Sequence, residues 1–318
     1  MTQIDKSRFE WIGSDSARRE GISRPSTTFW KDAIGRLMKN KVAVVCFFII
    51  VLLILSCIIV PFFSPFESRE QHLGEVNKGF MTVCTDSRYE GQHHVHYFGT
   101  DNLGRDLFLR AFEGGRVSLM IAFAAVFVNL IVGLIYGGIS GYLGGTVDMI
   151  MMRIVDIIYT IPDFLLIVLL SFALKDPLAN LAQLPGFGWM QIVGSNLISI
   201  FIVFALLYWV GMARMVRSQI LTLKENDYVM AAKALGAKDG RIIKKHLLTN
   251  CIGTLIVTTT LQIPSSIFTE SYLSFLGMGV AVPLPSLGSL ASDAINGMIT
   301  FPYLLFAPCL LISLIILS

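Results

Sequence analysis

The residues at 42–63 form an uninterrupted apolar run without a single charged side chain. Such a run predicts a membrane-spanning helix, because about 20 apolar residues cross the hydrocarbon of a bilayer. Five further apolar runs lie at 117–142, 149–170, 190–213, 247–269 and 302–318. The run at 149–170 is the weakest candidate, because a span there must tolerate Arg153, Asp156 and Asp163. We therefore predict an all-α integral membrane protein with six transmembrane helices.

The overall composition supports this class of protein. Hydrophobic residues make up 54% of the chain and charged residues 15%, whereas soluble domains carry about 25% charged residues. The net charge of +3 is too small to indicate nucleic-acid binding. The 41 residues before the first apolar run are too long and too charged for a cleavable signal, so that helix is predicted to be retained.

The distribution of Lys and Arg predicts the orientation of the chain. Nine Lys and Arg residues precede residue 42, and eight lie between the fourth and fifth runs. Together with Arg153, these make eighteen basic residues on one side of the membrane. The other side receives seven, so the richer side is predicted to be cytoplasmic, with the N-terminus inside. The predicted parts are a cytoplasmic tail at 1–41, a first transmembrane helix at 42–63, an extracytoplasmic loop at 64–116, and a five-helix core at 117–318 with a cytoplasmic loop at about 221–249.

Three segments contain patterns that indicate more than a membrane span. The first precedes the second apolar run and reads Phe98, Gly99, Thr100, Asp101, Asn102, Leu103, Gly104, Arg105 and Asp106. Either Thr100 or Asp101 is predicted to cap a helix whose apolar residues share one face and whose charged residues share the other. This predicts an interfacial helix at the outer membrane surface, and favours a structural elbow over a binding site.

The second segment is the cytoplasmic loop, where good helix formers lead to Gly236, a residue that often ends a helix. Asp239 is predicted to cap a second, basic helix that continues into the fifth span. The small side chains of Ala231, Ala232 and Ala234 leave a face on which another protein can pack closely. The alternative is a solvated basic loop. The third segment, at 282–288 with Asp293 behind it, predicts a turn and a short re-entrant or interfacial helix.

The order of these segments resembles the permease subunits of ABC importers for dipeptides and oligopeptides, specifically the C-type inner-membrane subunit. The resemblance covers roughly residues 30–318. The family pattern F-G-T-D-x-x-G-R-D before the second span is matched by Phe98, Gly99, Thr100, Asp101, Gly104, Arg105 and Asp106. The family pattern E-A-A-x-x-x-G before the fifth span is matched by Ala231, Ala232 and Gly236. Arg153-x-x-Asp156 followed by Pro162 also fits.

The resemblance implies a type I ABC importer permease fold in the cytoplasmic membrane of a prokaryote. The implied partners are a second homologous permease, two cytoplasmic ATPases and an extracytoplasmic peptide-binding protein. The family loop docks on the ATPase, which implies coupling residues at Ala231, Ala232, Leu235, Gly236 and Asp239. Two positions depart from the family, because Met230 replaces its Glu and Thr249 replaces a frequent Pro.

The sequence contains no Gly-x-x-x-x-Gly-Lys-Ser/Thr phosphate loop, no His-Glu-x-x-His and no Gly-x-Ser-x-Gly. We therefore predict a transport subunit that is not an enzyme and holds no cofactor, with ATP and Mg²⁺ bound by the partner ATPases. The alternatives are a related importer for nickel or another small solute, and a self-contained secondary transporter. The latter predicts paired inverted repeats with broken helices, which the sequence does not show.

Polar residues in two places remain to be interpreted. The histidines His72, His93, His94 and His96 lack a carboxylate or thiol at fixed spacing, which favours a solvated loop and predicts no metal site. Asp163 lies within an apolar run and is a candidate for the solute path. On the fifth run, a stripe at helical spacing predicts either a hydrated wall of that path or close helix packing; it comprises Cys251, Thr254, Thr258, Gln262, Ser265 and Thr269.

Overall fold

A computed structural model describes residues 29–85, 94–280, 284–295 and 297–317. The α-helices are α1 (Phe29–Lys39), α2 (Lys41–Phe63), α3 (Leu107–Leu143), α4 (Gly145–Thr160), α5 (Asp163–Leu181), α6 (Trp189–Val193), α7 (Ser195–Leu207), α8 (Trp209–Leu223), α9 (Asp227–Ala234), α10 (Asp239–Arg241), α11 (Leu248–Phe275), α12 (Leu287–Ile295) and α13 (Tyr303–Leu317). A π-helical segment, Ile242–Leu247, joins α10 to α11. A 3₁₀ turn at Leu73–Glu75 and two short antiparallel strands, β1 (Thr82–Val83) and β2 (Val95–His96), lie between α2 and α3. His93 and the start of the 282–288 segment lie outside the described residues.

The helices confirm the all-α membrane fold. Five are long and apolar enough to cross a bilayer, and they occupy Lys41–Phe63, Leu107–Leu143, Asp163–Leu181, Ser195–Leu223 and Asp239–Phe275. The shorter apolar helix α13 completes the predicted set of six. The chain divides into two compact units, residues 1–48 and 49–318, and every site described below lies in the second.

The prediction for the third span is wrong in its bounds. The apolar run at 149–170 is split between α4 and α5, and the helix that can span begins at Asp163. Pro162 explains the break, because it offers no amide hydrogen and disfavours a helical conformation at the residue before it. Ile161 accordingly adopts an extended conformation, with φ −85° and ψ 133°.

The shorter helix α4 is fixed to α8 by ion pairs. Asp148 pairs with Arg217 at 2.5 Å, and Asp156 pairs with Arg214 at 2.6 Å. The Arg217 guanidinium also lowers the pKa of the Asp148 carboxyl below its usual range through hydrogen bonds. Asp156, one of the charged residues within the 149–170 run, therefore helps to attach α4 to the neighbouring helix.

Helices α3 and α8 pack closely along a row of glycines. Gly133, Gly137 and Gly141 lie four residues apart on one face of α3. A Cβ atom at Gly137 would collide with the Ala213 carbonyl oxygen of α8. Small residues at such spacing let two helix backbones approach each other within a membrane. This is the most extensive contact between two helices in the described part of the chain, and the pattern of six apolar runs does not predict it.

Candidate functional site

A cavity of about 190 Å³ lies among α4, α5, α8 and α11. Three residues predicted for the solute path line it, namely Asp163, Gln262 and Ser265. The other lining residues are Ile158, Tyr159, Leu207, Tyr208, Val210 and Gly211. The fold thus brings together residues that are about one hundred positions apart in the sequence.

The helix break at Pro162 positions the only carboxylate of this cavity among the residues that the structure describes. Asp163 is the first residue of α5, where the N-terminal end of the helix dipole favours a negative charge. Asp163 therefore lies at a helix end, whereas its place in the apolar run predicts a position within a span.

The opposite wall of the cavity is polar because of α11 and the α7–α8 junction. The Oε1 atom of Gln262 is buried and has no hydrogen-bond partner within the described residues. The Tyr208 hydroxyl donates to Oγ1 of Thr269 at 2.7 Å, and that hydroxyl donates to the Ser265 carbonyl at 3.0 Å. A carboxylate, an amide and hydroxyls can exchange hydrogen bonds with a polar solute without holding it tightly.

The remaining members of the polar stripe do not reach this cavity. Thr254 and Thr258 are half-buried on α11, and they are absent from the lining residues. Elsewhere on α11, Leu255 and Ile267 are buried against protein, whereas Ile256 is exposed. Of the stripe residues, only Gln262 and Ser265 are therefore among the residues that line this cavity.

The loop predicted to be cytoplasmic forms an exposed tip, which we define as residues 230–239. Helix α9 is held by Val229, which is buried in a cluster with Ile242 and Leu247. Leu235 is 88% exposed and Met230 is 53% exposed, so the tip presents apolar side chains that contact little of the chain. Exposed apolar surface of this kind marks sites of protein–protein contact.

The five predicted coupling residues all lie in the tip, but Asp239 does not have the predicted capping role. Ala231 is exposed, Ala232 is half-buried, and α9 ends before Gly236, whose φ of 78° is the left-handed conformation expected at a helix stop. Asp239 does not cap the next helix, because the cap position belongs to Lys238. Asp239 instead accepts a hydrogen bond from the Tyr142 hydroxyl of α3.

The segment from Phe98 to Asp106, which we call the outer motif, does not adopt the predicted helix. The segment from Thr100 to Asp106 is a tight loop closed by a bridge between its ends, and the interfacial helix predicted there is not formed as a separate element. The true cap of α3 is Asp106, whose side chain accepts from the Leu109 amide at 2.7 Å. Neither Thr100 nor Asp101 caps a helix.

The charges of this motif are buried rather than exposed. Asp101 accepts from the Arg105 amide at 2.9 Å and from Arg105 Nε at 2.7 Å, and it also pairs with Arg110 Nη1. The Arg110 side chain reaches Asp293 of α12 at 3.9 Å. Phe98 packs against the Phe108 ring with centroids 5.1 Å apart. The motif thus forms a cluster of ion pairs between the loop before α3, the start of α3 and α12.

Three positions of the motif hold the preceding loop. Thr100 accepts a hydrogen bond from the Lys78 amide at 2.9 Å. Gly104 has a φ of 73°, and a Cβ atom there would collide with the His72 carbonyl, so only glycine fits. Gly99 has a φ of 80° and lies equally close to Lys78. These contacts support the predicted structural role of the motif.

His96 and His72 are buried, so the solvated loop predicted for them is wrong. His96 Nδ1 lies 2.8 Å from Asp106, and Nε2 lies 3.1 Å from Glu75. Although burial opposes the charged form, hydrogen bonds with these two carboxylates raise the pKa of His96. Hydrogen bonds from Thr85 lower the pKa of Glu75 despite its burial.

Sequence reasoning missed a carboxylate in the fifth span. Glu270 is fully buried and accepts from Ser118 of α3 at 2.7 Å and from Ser274 at 2.7 Å. The apolar run that predicts this span ends at residue 269, whereas α11 continues to Phe275 and so includes Glu270. Its serine partners could not be found from the sequence because Ser118 lies 152 residues away.

The comparison with family models decides the class of this chain. Residues 130–318 match the family described as binding-protein-dependent transport system inner membrane component. The chain belongs to that family. Residues 28–79 of this permease also match the N-terminal transmembrane domain of oligopeptide transport permease C. These matches confirm the family resemblance found in the sequence. They also confirm the prediction that the chain is a multi-pass membrane permease.

Relatives with curated names cover almost the whole permease. The oligopeptide transport system permease protein OppC of Bacillus subtilis is 39% identical over 97% of this chain and 91% of its own length. The dipeptide transport system permease protein DppC of the same organism is 39% identical over 93% and 83%. A solved structure of the MetNI methionine ABC transporter aligns with a TM-score of 0.47 and 19% identity, over 66% of this chain and 91% of its own.

Proposed function

We propose that this permease forms half of the translocation pathway of an ATP-driven importer for dipeptides or oligopeptides. Its partners would be a second homologous permease, two cytoplasmic ATPases that hold ATP and Mg²⁺, and an extracytoplasmic peptide-binding protein, in the cytoplasmic membrane of a prokaryote. The observation that carries the proposal is the polar cavity bordered by Asp163, Gln262 and Ser265. The names of the full-length relatives support the choice of peptide.

The chemistry of the cavity favours a peptide over a metal ion. A peptide brings amide hydrogens, carbonyl oxygens and a charged amino end, and these groups must exchange water for other partners. The amide of Gln262, the Tyr208 hydroxyl and the Asp163 carboxylate can supply those partners. The described lining residues include no imidazole or thiol, which are the side chains that select nickel.

The exposed tip supports coupling to an ATPase. Leu235 and Met230 present apolar surface at the loop predicted to face the cytoplasm, and Val229 fixes α9 to the bundle. A partner that buries this surface would gain about 25 cal/mol for each Å² of apolar area removed from water. Met230 contributes apolar area where the family has Glu, so docking here does not depend on a carboxylate at that position.

Uptake by the assembled complex tests the proposal. We expect the permease, expressed with its partner subunits in cells that lack peptide uptake, to restore ATP-dependent accumulation of a radiolabelled dipeptide or pentapeptide. The control is the same complex with an inactivated phosphate loop in the ATPases. Accumulation of nickel instead of peptide, or peptide uptake by the permease alone, would contradict the assignment.

Single cysteines test the path along α11. We expect Gln262→Cys and Ser265→Cys to react with a small water-soluble thiol reagent and to be protected by peptide, because both positions line the cavity. Asp239→Cys serves as the control for orientation, since only a reagent supplied from the cytoplasmic side should reach it. The background replaces all five native cysteines with serine, so that the introduced cysteine is the only thiol; they are Cys46, Cys57, Cys84, Cys251 and Cys309.

Positions Thr254 and Thr258 separate the two interpretations of the stripe. A path that extends along α11 predicts that cysteines there become reactive when ATP or peptide changes the conformation. Unreactive cysteines at all four positions in every state of the cycle would leave only the packing interpretation.

A further inference from the structure

Three buried side chains with metal-binding chemistry converge in the outer loop, apart from the cavity and the tip. They are His72, Glu75 and Cys84, and their ligand atoms all lie within 4.8 Å of one another. Their exposed fractions are only 2%, 2% and 8%. We propose that these three residues bind one zinc ion.

The local backbone explains why His72 and Glu75 face the same point. Residues 73–75 form a 3₁₀ turn, in which the Glu75 amide donates to the His72 carbonyl at 2.8 Å. A 3₁₀ turn has three residues per turn, so side chains three positions apart lie over each other. The turn therefore presents an imidazole and a carboxylate side by side, as a preformed pair of ligands.

The strand pair brings the third ligand to this turn. Cys84 follows β1, and its amide donates to the His94 carbonyl across the strand pair at 2.8 Å. The next residue, Thr85, donates through Oγ1 to Glu75 at 2.8 Å, and its amide donates to the same oxygen. These bonds hold the Cys84 backbone beside the Glu75 carboxylate, which places the thiol within reach of the shared point.

This combination of ligands suits zinc. Thiolate, imidazole and carboxylate are the three side chains that bind zinc in proteins, and three of them leave one position of a tetrahedral site for water. Tetrahedral ligands at zinc bond lengths lie roughly 3.5 Å apart, so the observed spacing needs only a small inward movement. A thiolate does not suit Mg²⁺ or Ca²⁺, which prefer oxygen ligands.

The surroundings provide the support that metal ligands usually have. The second oxygen of Glu75 lies 3.1 Å from His96 Nε2, and His96 is held in turn by Asp106 at 2.8 Å. The Phe66 ring stacks on His96 with centroids 4.4 Å apart and shields this side from water. Hydrogen-bonded and desolvated surroundings of this kind orient ligands and strengthen metal binding.

The bound ion would join the 3₁₀ turn to the strand pair. The same turn is held by the outer motif, because Gly104 packs on the His72 carbonyl and Asp106 supports His96. Zinc would thus fasten the outer loop to the start of α3. This inference is independent of the transported solute, so a failure of peptide uptake does not bear on it.

Metal content of the purified full-length chain tests the site. After equilibration with Zn²⁺ and removal of the excess, we expect about one zinc per chain, with binding at least about tenfold weaker in Cys84→Ser and His72→Gln. The matched controls are Cys309→Ser, which removes an exposed thiol of α13, and His246→Gln in the cytoplasmic loop. Zinc that is absent from the wild-type chain, or equally bound by Cys84→Ser, would overturn the proposal.

A second measurement needs no variant and therefore does not depend on how a variant folds. Co²⁺ bound in place of zinc should give the near-ultraviolet absorption of a thiolate–cobalt bond in the wild-type chain. Zn²⁺ should remove that absorption when it displaces Co²⁺. Cobalt that binds without this absorption would show that Cys84 is not a ligand and would equally overturn the site.

Discussion

Replacing Leu235 with aspartate should abolish uptake while leaving the permease inserted in the membrane. Leu235 is 88% exposed, so the change removes almost no contact within the chain. Its effect should fall on binding of the proposed ATPase, where loss of a central apolar contact costs about 2 kcal/mol and weakens binding about 30-fold. Ala232→Arg should act in the same direction, because its bulk would keep the partner away from α9.

The measurements are peptide uptake and the amount of ATPase that co-purifies with the permease. Asn226→Asp is the matched control, since it adds the same charge to an exposed residue of the same loop outside the tip. We expect that control to keep both uptake and ATPase association. Normal uptake by Leu235→Asp would show that the tip is not the docking surface.

The largest loss of stability should come from Asp101→Leu. This carboxylate pairs with both Arg105 and Arg110, and all three side chains are buried. Removing one partner of a buried charged group costs about 3–5 kcal/mol, because the remaining charges keep their desolvation penalty. We expect a much lower melting temperature in detergent and little permease in the membrane.

Asp293→Leu is the matched control, because Asp293 also pairs with Arg110. It lies 3.9 Å from Arg110 and its side chain is 48% exposed, so Asp293→Leu removes a weak pair. Exposed pairs contribute about 0–1 kcal/mol, and the melting temperature should change little. Equal losses in the two variants would indicate that Asp101 has no special role in the outer motif.

The sequence was sufficient for features that depend on hydrophobic length and on local backbone preference. The six apolar helices follow from the length of the apolar runs, and the end of α9 follows from Gly236. The third span was misplaced because Arg153, Asp156 and Asp163 were weighed as tolerated charges. Pro162 decides the boundary, and its effect on the residue before it was open to prediction.

The sequence was insufficient where a side chain finds its partner far along the chain. The charges of the outer motif fit a surface helix by their spacing, yet Asp101 and Arg110 are buried together with α12 nearby. Cys84 lies near His72 and Glu75 in the fold, although no ligand spacing in the sequence indicates that these residues meet. Periodicity identifies the face of a helix, but only packing shows what that face contacts.

The glycine row between α3 and α8 has a mechanical consequence. Because backbone lies against backbone there, neither helix can slide or tilt past the other without a collision. Val210 and Gly211, at one end of α8, border the cavity, while the other end continues through a short turn into α9 and the tip. Force applied at the tip would therefore be transmitted along a stiff two-helix lever of roughly 20 Å to the cavity wall.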